Sequence, residues 1–183
     1  FCDFKPTYVF HEAAQTMVPD SMKDPANDCD INLKGLINVL EACRQAGVEK
    51  ILTPSSAAVY GDLDNLPLTE EMTGQPTSFY GITKMTMEHY LRIYRDAFGL
   101  DYICFRYSNV YGSRQGDGGE GGVISIFAKL AVQDKTLQIF GDGQQTRDFI
   151  YVDDVVEANI CGMNHKAVTG VFNVSTKKGL SVN

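Results

Sequence analysis

The stretch "EKILTPSSAAVYGD", Glu49 to Asp62, runs from a short apolar segment straight into a turn of small, hydroxyl-bearing residues. Ile51, Leu52 and Thr53 suit a buried strand. Pro54 cannot donate to a strand ladder and is expected to end it. Tyr80, twenty-four positions after Ser56, lies in "SFYGITK", Ser78 to Lys84, four residues before a lysine. On a helix those two lie one turn apart and share a face. A hydroxyl turn at the carboxyl end of one strand, followed by a helix carrying Tyr80 and Lys84, is the pattern that organises the rest of the chain.

The same alternation continues on both sides. "TYVFHEAAQ", Thr7 to Gln15, is a short β-rich run that turns into small residues, as a buried parallel strand does before its loop. From Asp28 to Ala46, Leu33, Leu36, Ile37, Leu40 and Cys43 recur at helical spacing, and Gly47 supplies a stop. Tyr80 to Phe98 is a second helix, striped by Met87, Leu91, Tyr94 and Phe98 and closed by Gly99. "DYICFRYSNVYG" reads as a strand and its turn, "GVISIFAKLAV" as a helix, and "LQIFGDG" as a strand and turn. "DDVVEANICGM" is a helix opened by acids that suit its positive end, and "GVFNVST" a last strand. Strand and helix in turn imply an α/β fold with a mostly parallel sheet and helices on both faces.

The 183 residues suffice for one domain with a real core. A hydrophobic share of 44% and a charged share of 21% belong to an ordinary globular chain. The net charge of −7 repels a phosphate backbone, which argues against nucleic acid as a partner. No apolar run reaches the roughly 18 residues that span a bilayer, so no membrane role is expected. Cys2, Cys29, Cys43, Cys104 and Cys161 are odd in number and stand at no metal-finger spacing. They read as thiols in a reducing cytoplasm, with no metal site.

Tyr80 has chemistry available if its phenol can ionise. Tyrosine ordinarily titrates near 10. An ammonium about 4 Å away, at an effective dielectric near 20, would favour the phenolate by about 4 kcal/mol. That is about three pKa units and would bring the group near neutrality, where it serves as a base. Ser56 offers a hydroxyl to the oxygen that loses its proton. A Tyr and a Lys at this spacing also occur in many helices as one core and one solvated residue. The serine turn upstream is what favours catalysis, since such sheets bind ligands at the carboxyl ends of their strands.

Read together, "HEAAQ", "DINLKGLINVLEACRQAGVEKIL", "PSSAAVYGD", "SFYGITKMTMEHY", "FRYSNVYG", "GEGGVISIF" and "IFGDGQQTRDFIYVDDV" resemble the NAD-dependent epimerase/dehydratase family of extended short-chain dehydrogenases/reductases. Within it they are most similar to the UDP-glucose 4-epimerases. The resemblance implies a Rossmann-like domain with NAD as cofactor and a UDP-sugar as substrate. It implies a Rossmann part over about residues 1–112 and a mixed, substrate-binding part over about 113–183. By motif, Tyr80 corresponds to the family's base, Lys84 to its partner on the nicotinamide ribose, and Ser56 to the third catalytic residue. Ala13, Ala14, Gln15, Asn32 and Tyr107 match cofactor-contacting positions. Asn109 matches a sugar-diphosphate contact, Phe140 the aromatic beside uracil, and Arg147 the arginine on the diphosphate, where a guanidinium fork fits. An internal pair of Arg147 with Asp148 or Asp153 is the alternative. A homodimer through the two long helices is implied by the resemblance alone.

Within such a family the serine turn separates reactions. Dehydratases and decarboxylases resemble one another in placing acidic residues just after the hydroxyl, because elimination needs a proton donor there. Here Ala57 and Ala58 stand in those places and favour epimerisation at C4; another nucleotide-sugar activity of the family (uronate epimerase, reductase or dehydratase) and a non-catalytic dinucleotide-binding fragment are the alternatives. "GDGGEG", Gly116 to Gly121, matches a dinucleotide fingerprint in letters but lies too far from a strand, so a glycine-rich surface loop is expected. "FGDGQQTRD" lacks the Lys-Ser/Thr ending of a triphosphate loop. The true fingerprint belongs to the first strand-helix turn, and the resemblance places "YVFHEAAQ" at the fourth strand. With about 30 residues per strand-helix-strand unit, the chain is expected to be a piece of a longer protein lacking roughly sixty residues or more upstream, and the resemblance implies that part of the substrate-binding region beyond Asn183 is missing too.

Overall fold

The computed structural model describes residues 1, 3–63, 66–116 and 122–183. Its main sheet has four parallel strands in the order β1 (Tyr8–Phe10), β2 (Lys50–Ser56), β3 (Asp101–Tyr107) and β6 (Gly170–Val174). A second sheet joins β4 (Asn109–Tyr111), β5 (Thr146–Tyr151) and β7 (Gly179–Ser181), parallel in its first pair and antiparallel in its second. The expected Rossmann-like arrangement is present. Most of "GDGGEG" falls outside the described residues.

Alternation along the strands divides the core in two. Ile51, Tyr102 and Cys104 face α3 (Gly35–Ala46) and α4 (Phe79–Phe98), packing on Leu36, Leu40, Met87 and Leu91. Leu52, Ile103 and Phe105 face the other way, onto Val155 and Ala158 of α6 (Val152–Asn164). Gly47 and Gly99 close α3 and α4 at φ 70° and 73°, the left-handed caps that glycine adopts without strain. The expected helix at "GVISIFAKLAV" is α5 (Val123–Val132). No described helix is long and apolar enough to cross a membrane.

Three expectations need correction. Pro54 does not end β2, which runs on to Ser56. The Leu52 carbonyl accepts the His11 N–H, so Pro54, two residues on, points its backbone the same way, past the end of β1 where no partner asks for an N–H. "LQIF" is not a strand: Leu137, Ile139 and Phe140 are exposed and no ladder runs beside them. The strand there is β5, a few residues later.

The helix expected from Asp28 begins earlier, after α1 (Val18–Lys23), as α2 (Pro25–Cys29). It then winds as a π-helix over Asp30–Lys34 before α3. The π segment carries Asn32, which is turned inward. Its amide donates to the Gln15 carbonyl at 3.1 Å and to Asp28 Oδ1 at 3.1 Å, and its oxygen accepts the Gln15 N–H at 2.9 Å. A π bulge of this kind often marks a place where function constrains a helix.

Candidate active site

Ser56 is the last residue of β2 and caps the 3₁₀ turn Ala57–Tyr60, accepting the Ala58 N–H at 3.2 Å. Tyr80 is the second residue of α4. The Ser78 hydroxyl caps that helix by accepting the Gly81 N–H at 3.0 Å. The Tyr80 N–H donates to Ser21 Oγ on α1 at 3.1 Å, which pins the helix start. Ser56 and Tyr80 line the same cavity, and the Ser56 side chain is near enough to the phenol to favour its ionised form. Lys84, one turn on, is 1% exposed and donates to the Pro54 carbonyl at 3.0 Å. Strand end, turn and helix thus bring the three residues together.

Their electrostatics differ from the sequence expectation. The Lys84 ammonium lies 5.7 Å from the Tyr80 ring centroid, and its hydrogen bond goes to Pro54. Burial pushes the Tyr80 phenol above its ordinary value; the Ser56 side chain pulls it back in part, and the Asp28 carboxylate adds to the rise. Burial likewise lowers the Lys84 ammonium, with the charge of Cys104, Glu12 and Asp28 opposing. In the chain alone the pair therefore does not bring the phenol to neutrality. Desolvation outweighs an ammonium that is not paired with the oxygen.

Ser56 and Tyr80 face a cavity of about 880 Å³, and Lys84 lies buried behind them, outside its lining. Ser56, Tyr80, Tyr107, Asn109 and Arg147 line it, as do Ala57 and Ala58. Tyr107 accepts a 2.6 Å hydrogen bond from Asn159, and Asn109 donates to the Asp148 carbonyl at 2.9 Å. The internal pair considered for Arg147 is not formed. Its Nη1 donates to the Thr146 carbonyl at 2.8 Å, and among the described residues no ion pair involves it. Phe140 is 74% exposed and is not among the cavity-lining residues. Ala13 and Ala14 lie on the loop after β1 and do not line the cavity either. Asn32 and Gln15 are brought together, but each bonds to protein: both Asn32 amide hydrogens go to Gln15 and Asp28.

The sequence matches the NAD dependent epimerase/dehydratase family over residues 1–175. The chain belongs to this family. Across 96% of its length it is 46% identical to a putative UDP-glucose 4-epimerase of Methanocaldococcus jannaschii, of which it covers 57%. Across 95% it is 41% identical to the UDP-glucose 4-epimerase of Mycolicibacterium smegmatis, covering 56% of it. It superposes with a TM-score of 0.94 on the Thermotoga maritima UDP-glucose 4-epimerase solved with UDP-glucose, at 41% identity, over 98% of this chain and 58% of that one. A UDP-N-acetylglucosamine 4-epimerase from Methanobrevibacter ruminantium, solved with UDP-N-acetylmuramic acid, gives 0.93 at 37%, over 96% and 57%. The chain spans a little over half the length of these relatives.

Within this epimerase/dehydratase member, the structure adds residues that sequence reading passed over. Arg106 and Asn173 line the cavity from adjacent strands, and Lys177 and Lys178 from the turn before β7. Buried Asp28 accepts from Gln15 Nε2 at 2.7 Å and Thr83 Oγ1 at 2.8 Å. Its signal was visible as two polar residues, Asp28 and Asn32, at i and i+4 on an otherwise apolar helix face.

Proposed function

We propose that the protein interconverts nucleoside-diphosphate sugars at C4, of the UDP-glucose/UDP-galactose type, using NAD. The observation that carries this reading is a cavity lined by Ser56 and Tyr80, with Lys84 buried against the Tyr80 ring, whose wall directly after the serine is Ala57 and Ala58.

The residues present suit the cofactor. Lys84 uses its ammonium on one protein acceptor, leaving two N–H groups, and the buried Ser108 hydroxyl beside the cavity has no partner. Both fit the hydroxyls of a nicotinamide ribose, which Lys84 and Tyr80 would hold. When bound, NAD supplies the acceptor and donor of the C4 hydride, and its positive ring favours the ionised phenol that burial opposes. Tyr80 takes the proton of the sugar 4-hydroxyl, with the Ser56 hydroxyl in the hydrogen-bond path, and returns it at the end. Arg147 holds the diphosphate while the sugar turns over. Ala57 and Ala58 leave space for that rotation and offer no carboxyl for elimination.

The protein acts in the cytoplasm as a homodimer in this reading. Ile82, Tyr90 and Ile93 are exposed on one side of α4, where a second copy would pack. Replacing Tyr80 with Phe tests the chemistry. Conversion of UDP-glucose to UDP-galactose should fall about 10²–10⁴-fold, with the circular dichroism spectrum unchanged. Near-normal turnover would overturn the mechanism.

A further inference from the structure

The turn before β7 carries Thr176, Lys177 and Lys178 and stands beside Arg147 because of how β7 pairs. Arg147 is opposite Leu180 and Asp148 opposite Gly179. The Asp148 carboxylate fastens the turn: Oδ1 accepts the Thr176 N–H at 3.0 Å and its hydroxyl at 2.9 Å, and Oδ2 accepts the Lys178 N–H at 3.2 Å. Lys177 holds φ at 60°, a left-handed conformation uncommon for a residue with a side chain. Both lysines line the same cavity as Arg147 and Thr146.

The charge balance is local and unusual for this molecule. Among the described residues neither lysine forms an ion pair, and nor does Arg147. Three cations against the single carboxylate of Asp148 leave two positive charges on this wall, in a chain whose net charge is −7. The diphosphate of a nucleotide sugar carries one negative charge on each phosphate. Cations gathered on one wall of a cleft focus field on an anion there.

We infer that the Thr176–Lys178 turn, fastened by Asp148, is a second anion-binding arm that grips the ligand diphosphate from the side of β7, next to Arg147 on β5. This rests on the nucleotide-sugar reading above. Lys177 and Lys178 act by charge and by donated hydrogen bonds, which are stronger to an ionised acceptor than to a neutral one. They do not touch the reacting carbon, so their loss weakens binding without altering proton transfer at Tyr80.

The test is titration calorimetry of the protein with UDP, uridine and inorganic pyrophosphate at two salt concentrations. Lys177→Gly, which keeps the left-handed backbone, combined with Lys178→Ala should weaken UDP binding by at least about tenfold. Uridine affinity should be unchanged, and the salt dependence of UDP binding should flatten. Lys177→Arg with Lys178→Arg should retain UDP affinity. Equal UDP affinity and salt dependence in the wild type and the charge-free variant would overturn this inference while leaving the parent reading intact. A wild-type protein that binds no UDP would overturn both.

Discussion

A methyl group on Gly81 would stand 2.7 Å from the Ala58 carbonyl oxygen and 3.0 Å from Pro76 Cβ. The helix that carries Tyr80 is pressed onto the turn that carries Ser56, and glycine is what permits the approach. Gly81→Ala gains up to about 1 kcal/mol of helix propensity. It also forces backbone apart at a contact with no flexible side chain to yield, a cost of about 1–3 kcal/mol. The net expectation is a modest loss of stability in urea unfolding. The larger effect is on turnover, since separating Ser56 from Tyr80 by about 1 Å can cost about 10²-fold. Unchanged turnover would mean that the Ser56–Tyr80 spacing does not depend on this contact.

Much of this arrangement could be read in the sequence, and the parts that could not have identifiable physical causes. The stripes Leu36–Leu40–Cys43 and Met87–Leu91–Tyr94 announced α3 and α4 because both bury one face on a sheet. Ser56, Tyr80 and Lys84 were legible because strand end and helix turn fix them locally. Pro54 misled because its cost depends on which neighbour its backbone faces, a property of sheet order. "LQIF" has strand composition but no neighbour to pair with. The Tyr80–Lys84 electrostatics failed because sequence spacing gives the shared helix face but neither the depth of burial nor the Pro54 carbonyl that claims the ammonium. Arg106, Asn173 and Lys177 come from three separate segments, so only the folded chain shows that they share a cavity wall.

Arg106 and Glu88 form a two-bond fork beneath the serine turn, Nε to Oε1 at 2.9 Å and Nη2 to Oε2 at 2.7 Å, with both side chains about nine-tenths buried. Ser55 Oγ donates to the same Oε1 at 2.6 Å, and Arg106 Nη1 donates to Tyr60 Oη at 2.9 Å. Removing one partner strands the other charge in the interior. Glu88→Ala should cost about 3–5 kcal/mol in urea unfolding. Arg106→Lys keeps the charge but loses the fork and should cost less. A loss under 1 kcal/mol for Glu88→Ala would show that water reaches the guanidinium.

Asn32 offers a sharper distinction between two roles. Its three hydrogen bonds satisfy both backbone groups of Gln15 and one oxygen of buried Asp28. Asn32→Ala strands these groups, at about 1–3 kcal/mol each where they stay dry. Thermal unfolding should move down and amide exchange at Gln15 should accelerate. If Asn32 instead served the cofactor directly, NAD affinity would drop while the melting temperature and the Gln15 exchange rate held.

Alkaline pH should loosen the fold, and the direction follows from three buried groups and one half-buried one. Burial pushes the Cys43 thiol up to about 11 from 9.0 and raises Cys104 further. It also lifts the phenols of Tyr80 and Tyr107 above 10.0, where the charge of Glu12 adds to the rise at Tyr107. In each case the folded value exceeds the unfolded one, so the folded chain holds its proton where the unfolded chain has released it. Their stabilisation is therefore complete below about pH 9 and declines as pH climbs through the folded values. The melting temperature, followed in reducing buffer from about pH 8 to about pH 11, should be level at first and then fall steadily. Cys43→Ala should start lower, because a buried side chain is trimmed, yet fall less steeply between about pH 9 and 11, because one of the titrating groups is gone. Parallel curves for the wild type and this variant would mean that the Cys43 thiol ionises as readily in the folded chain as in the unfolded one.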